Sequence, residues 1–232
     1  MARTRKHVWR WRLLAALLLL VMIAAAAGWW YSLSWKPDRS QFPVQGVLIG
    51  EQDGEVDFAA LHMTGADFVY LEASAGAKGR DAHFSANLAA IANRDMPHGA
   101  VHEYDPCVPA ERQSANFVTI VPRDPQLLPA AIALDVLAST CNDPIAEAGL
   151  ESELTTFINQ VENHTGQPVV LKVSRAFEER YAIATRIERN LWLESEFVQP
   201  DFAGRPWTLW TANNNLRSGL ANEPLRWVVV QP

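Results

Sequence analysis

The stretch QGVLIGEQDGEVDFAAL, residues 45–61, reads as a strand, a tight turn and the start of a helix. Val47, Leu48 and Ile49 form an unbroken apolar run, Asp53-Gly54 punctuates it, and Val56, Phe58 and Leu61 resume at helical spacing. In an α/β protein the residue near the end of such a strand often carries the chemistry. Here that residue is Leu48, which can carry none.

Downstream the alternation continues. Strand-like runs recur at 46–50, 67–73, 98–104, 130–137, 168–174, 190–195, 207–212 and 226–230. Helix-like stretches intervene at 84–95, 111–121, 147–166 and 175–185, the third ending on Gly166 as a C-cap. This order predicts a mostly parallel sheet, and eight strands fit a closed barrel. The last connections are too short for helices. The fold expected for 44–232 is therefore a modified TIM-like β/α barrel without helices between its final strands. Its site is expected at the C-terminal strand ends.

Upstream, Arg3, Arg5, Lys6, Arg10 and Arg12 crowd residues 1–12, and Leu13–Leu33 then runs 21 residues without a charge. That is long enough to cross a bilayer of roughly 30 Å. Trp9 and Trp11 flank one end, and Trp29, Trp30 and Tyr31 mark the other. The basic flank predicts a cytoplasmic tail, an anchor in the inner membrane through 13–33, a polar linker over 34–43 and an exported, periplasmic body. Ala25-Ala26-Ala27 keeps a cleaved signal peptide as the alternative. From Pro37 onward, 14 Lys+Arg stand against 26 Asp+Glu, a balance of −12, which excludes a nucleic-acid partner. Cys107 and Cys141 sit in the exported body, where two thiols are expected to pair.

The ordered segments resemble glycoside hydrolase family 25, the lysozymes or N-acetylmuramidases. GVLIGEQDGEVDFAAL (46–61) is similar to the family's opening Gly-Ile-Asp-Val-Ser, Gln-Gly turn and Ile-Asp-Trp. DFVYLEASAG (67–76) resembles its second strand, and Asp81, Phe84 and Asn87 keep its Asp-x-x-Phe-x-x-Asn spacing. HGAVHEY (98–104) resembles its Gly-Ala-Tyr-His strand. QSANF (113–117) and LPAAIALDV (128–136) resemble the elements that bring in the catalytic acid, and PWTLW (206–210) its Pro-Trp-Thr-Leu-Trp-Gln-Tyr signature. The likeness spans about 45–230 and implies the family's modified barrel. The two cysteines also resemble a pair in one bacterial branch of the family.

The departures fall where the resemblance implies a site. The family's first-strand Asp aligns with Leu48, and its Asp near the C-terminus aligns with Leu225. The Asp-x-Glu pair of the fourth strand aligns either with Ala133 and Asp135 or, shifted by two, with Asp135 and Leu137. In both cases one carboxylate of four remains. Val101 replaces a Tyr, Glu72 a Lys, Ala75 a usual acid, and Thr211-Ala212 a Gln-Tyr. Muramidase chemistry needs a general acid for the leaving oxygen and a carboxylate to meet the positive charge developing at the anomeric carbon. Asp135 is the retained candidate for that acid.

His102 keeps a family position that would line the cleft; the alternative is a hydrogen-bonded barrel histidine. Glu51, Asp53 and Glu103 are candidate replacement acids, against solvated loop carboxylates. Trp207 and Trp210 offer a stacking face for a sugar, against barrel core; Trp192 and Trp227 read as core. His98 and His102 lie about 13 Å apart along a strand, too far to share one ion. Neither a metal nor a cofactor is expected. The resemblance implies a peptidoglycan-related protein with impaired or lost hydrolysis, binding glycan strands or a periplasmic protein. The alternatives are an active muramidase using Asp135, and an interaction scaffold with a cleft closed by Leu48, Leu137 and Leu225.

Overall fold

The computed structural model describes residues 2–54, 56–143, 145–217 and 224–232. They form two compact units, Met1–Trp35 and Lys36–Pro232. The first is a single helix, α1 (Ala2–Ser34), whose Trp9–Ser34 portion is long and apolar enough to cross a membrane.

The second unit is the barrel. It contains β1 (Gln45–Ile49), α2 (Phe58–Met63), β2 (Phe68–Ala75), β3 (Gly79–Arg80), α3 (Phe84–Ala92), β4 (His98–Glu103) and α4 (Ala110–Ile120). There follow β5 (Ala131–Leu134), α5 (Glu147–Thr165), β6 (Val170–Val173), α6 (Arg175–Tyr181), α7 (Ile183–Arg186), β7 (Asn190–Glu194), β8 (Leu209–Leu216) and β9 (Leu225–Val230). The sheet order is β1-β9-β8-β7-β6-β5-β4-β2-β3, and a further β1–β2 pairing closes eight strands into a ring. The strands from β1 to β8 in that ring run parallel, and β9 returns antiparallel to both β8 and β1. The expected eight-stranded barrel with plain final strands is thus the observed fold. The two-residue β3 is an addition to it.

Alternation along the strands decides which side chains fill the ring. Leu48, Phe68, Tyr70, Val101, Ala131, Ala133, Val170, Trp192, Leu209 and Val228 pack together inside it. Trp192 sits near the middle, its ring 5.0 Å from that of Tyr70, and its Nε1 donates to Thr211 Oγ1 at 2.7 Å. Tyr70 donates its hydroxyl to the Pro129 carbonyl at 3.0 Å, so the large aromatics are buried with their polar atoms satisfied. Trp227 is core as expected, 1% exposed on the outer face of β9, and donates to Gln45 Oε1 at 2.7 Å.

Gly166 caps α5 in the left-handed conformation at φ 75°, as its position predicts. The single helix expected over 175–185 is broken at Ala182, also left-handed, and the buried Glu178 caps the second piece by accepting from Ala184 N at 2.9 Å. Most of the stretch read as a linker, 34–43, packs on the barrel. Lys36 lies over the Trp227 ring at 4.2 Å, Gln45 Nε2 donates to the carbonyls of Pro37 and Phe42, and Phe42 is buried. The barrel body therefore begins at Lys36. Cys107 and Cys141 form a disulfide with Cα atoms 5.3 Å apart, joining the loop after β4 to the loop after β5.

Candidate active site

The loops that follow parallel strands all leave the barrel at one end, so side chains from distant sequence positions converge there. At that end lies a cavity of about 570 Å³. Its floor is Leu48, Val101 and Ala133, the top of the apolar ring. Above this floor the inward positions turn polar: Glu72 on β2, Glu103 on β4, Asp135 after β5, Lys172 on β6, Glu194 on β7, Asn214 on β8 and Arg226 on β9. Glu51, Gln52, Ser74, Arg80 and Asp81 complete the walls.

Two ion-pair groups divide the cavity. Arg226 is paired with Glu72 and, at 3.1 Å, with Asp53, whose side chain is fully buried. Asp53 also accepts from Gly50 N at 2.7 Å, closing the turn after β1. Burial raises the Asp53 carboxyl above its usual range, against the Gly50 amide and Arg226. A Cβ on Gly50 would fall on the Glu72 carboxylate, so glycine is what lets Glu72 reach Arg226. Across the cavity, Lys172 is 3.0 Å from Glu194 and 3.8 Å from Asp135. Asn214 donates to Glu194. Burial works to raise the Glu194 carboxyl, but Lys172 and Asn214 hold it below the ordinary range.

Glu51, Asp81 and Glu103 make no ion pair within 4.0 Å among the described residues, though Lys172 acts on Glu103 from farther off. Burial against the barrel raises the Glu103 carboxyl, and the carboxylates of Asp135 and Glu72 push it further. Asp81 is raised chiefly by burial. Its Oδ1 accepts from His83 N at 2.8 Å, and the backbone amides of His83 and Glu51 work against that rise.

The structure sorts the sequence candidates. Leu48, Ala133, Asp135, Glu51 and Glu103 line the cavity. Leu137 does not. Leu225 faces away: it is fully buried, and the cavity-facing neighbour is Arg226, cross-strand partner of Leu48. A cleft closed by three leucines is therefore not what forms; only Leu48 is present, under a polar wall.

His102 is also off the cavity. It points out from β4 into the helix layer, is fully buried, and its ring lies 4.7 Å from that of Phe157. Its Nδ1 is 2.8 Å from Ser74 Oγ and its Nε2 is 3.4 Å from Gln113 Oε1. Burial pushes it down to about 4, so the ring is neutral and positions Ser74, which does line the cavity. Trp207 and Trp210 pack on Phe42 at centroid distances of 6.2 and 5.6 Å, buried outside the cavity. Sequence reading missed Lys172, Glu194 and Arg226 as site residues. The signal was there: each stands two residues from an inward apolar position, Val170, Trp192 or Val228.

The comparisons with known proteins agree with this architecture. The family model for glycosyl hydrolases family 25 matches residues 49–217, a segment that starts just after Leu48 and stops before Leu225 and Arg226. A family 25 glycosyl hydrolase from Bacillus anthracis superposes with a TM-score of 0.77 at 24% identity, over 86% of this chain and 93% of that one. A bacterial lysozyme from Streptomyces coelicolor gives 0.73 at 20% identity, over 82% and 92%. A muramidase from Acremonium alcalophilum gives 0.69 at 16%, over 82% and 94%. A search of curated protein sequences gives no match. With the family model covering most of the chain and the barrel closing in the same way, the chain belongs to glycosyl hydrolase family 25.

Proposed function

We propose that this chain is a membrane-anchored, periplasm-facing member of the family that engages the glycan strands of peptidoglycan, with its glycoside hydrolysis lost or strongly impaired. One observation carries the reading: where the family resemblance implies catalytic carboxylates, two are absent and the retained Asp135 is paired with Lys172, while Glu51, Asp81 and Glu103 line the same cavity outside those positions. Leu48 and Ala133 supply none, and Glu72, Asp135 and Glu194 are tied to Arg226 or Lys172. An oxocarbenium-like transition state needs uncompensated negative charge near the anomeric carbon and a proton donor at the leaving oxygen. Each well-placed group that is missing costs about 10²- to 10⁴-fold in rate. The retained α1 serves as the anchor, in preference to a cleaved signal peptide. The polar cavity favours glycan over the apolar side chain of a protein partner.

The test uses the full chain in neutral detergent micelles with purified peptidoglycan. The protein is expected to sediment with the polymer while new reducing ends stay at background. Turnover that disappears in Asp135→Asn would overturn the loss of hydrolysis and establish Asp135 as the acid. Membrane fractions should carry the chain at its full 25.8 kDa; a shorter band would indicate signal cleavage.

A further inference from the structure

The end of the barrel opposite the cavity is built differently. The parallel strands begin there, and beside Tyr70 an apolar opening of about 390 Å³ lies between Val44, Phe68, Leu128, Leu209 and Val230. The Asp67 carboxylate at its edge is already taken by Arg39 and by the Gln45 amide, so the lining offers mainly hydrocarbon. Val44 is 43% exposed, and Met63, where α2 ends at the same end of the barrel, is 81% exposed. Apolar surface gathered around an open pocket calls for a partner.

Two observations say what meets this end. The first is charge. From Pro37 onward the chain carries −12, yet the segments that lead into the strands here hold five Arg against five Asp or Glu (37–44, 64–67, 93–97, 121–130, 166–169, 187–189 and 203–208), and Lys36 adds a cation. The whole acidic surplus therefore lies on the flanks and on the cavity end. Anionic lipid headgroups repel those surfaces and spare this one. The second is chain length. One residue, Trp35, separates the end of α1 at Ser34 from Lys36, and Lys36 is fixed at this same end of the barrel, donating to the Thr64 carbonyl at 2.9 Å. An extended residue spans about 3.6 Å at most, so an anchored α1 leaves this end almost no slack, whatever angle the helix takes.

We propose, resting on the membrane-anchored reading above, that this end of the barrel seats on the phospholipid surface. Val44, Met63 and the apolar opening then turn into the boundary between headgroups and acyl chains. The anchor does more than retain the domain: it points the cavity away from the lipid, toward the wall.

The experiment uses the full chain in vesicles of phosphatidylethanolamine and phosphatidylglycerol. A bimane label is placed on Val44→Cys or on Val198→Cys, the latter exposed on the loop that leaves β7 at the cavity end. Cys107 and Cys141 are bonded to each other and take no label. A lipid nitroxide at headgroup depth is expected to quench the label at 44 about threefold more than the label at 198, and aqueous iodide to show the reverse order. Met63→Glu should bring the two positions about halfway together. Equal quenching at both positions by each agent would overturn the inference, while retention of the chain in vesicles after an alkaline wash keeps the anchor standing. A label at 44 shielded from both quenchers would mean that protein covers this end, and would overturn it as well. Release of the chain by the alkaline wash would overturn both the anchor and the seating.

Discussion

The lower and upper halves of the barrel interior are built from the same strands with the same alternation, yet they hold opposite chemistries. Tyr70 gives way to Glu72, Val101 to Glu103, Ala133 to Asp135, Val170 to Lys172, Trp192 to Glu194 and, on the antiparallel strand, Val228 to Arg226. Each step is two residues along a strand. The lower layer keeps the ring closed by packing. The upper layer carries the cavity's polar groups and the ion pairs between strands, whereas Leu48 and Ala133, where the family resemblance implies carboxylates, belong to the apolar ring below it. Fold and chemistry are thus separable within one element, at a distance of one pleat.

That contrast can be broken from either side. The largest effect is expected below. Trp192→Ala would leave the central hole of the ring unfilled and Thr211 Oγ1 without its donor, costing about 4 kcal/mol in denaturant unfolding. A loss under about 1 kcal/mol would show that the ring is not held by its interior. The next concerns a polar group on the outer face. His102 is neutral when folded, with its pKa lowered from 6.5 to about 4. The unfolded chain takes up this proton first, so stability is full above pH 6.5 and falls as pH drops from there toward 4. The loss is about 3 kcal/mol at most, and it should be absent in His102→Gln. A third change sharpens the upper layer. Arg226→Met strands Asp53, which is buried with a raised carboxyl, and should cost about 2 kcal/mol near neutral pH, partly recovered in acid as Asp53 takes a proton. An unchanged melting temperature would place Arg226 wholly in function.

The lower layer was legible because period-2 runs and turn residues mark strands wherever they are buried. All eight ring strands fall within a few residues of their expected places, and the cysteine pair is joined as expected. The upper layer was legible only in part. Leu225 and Arg226 differ by one residue, and a slip of one reverses the face. His102 sits between inward Val101 and inward Glu103, so strand alternation already assigned it outward, against the family position. Trp207 and Trp210 lie outside the cavity and pack on Phe42, which belonged to a stretch that read as polar linker. Ion pairing of Lys172 and Arg226 depends on which strands become neighbours, which no local pattern encodes.

The return of β9 between β8 and β1 has a consequence for how the molecule comes into being. Gln45 meets Trp227 across a separation of 182 residues, and Asp53 meets Arg226 across 173. Until β9 is in place, β1 and β8 are open edges, and the cavity lacks the guanidinium that holds the Asp53 turn. Closure is therefore the slow, long-range step of folding, because the chain must bring together ends separated by almost its whole length. A chain delivered from its N-terminus would carry two unpaired strand edges throughout its delivery. Its site would assemble last, in the same event that seals the barrel.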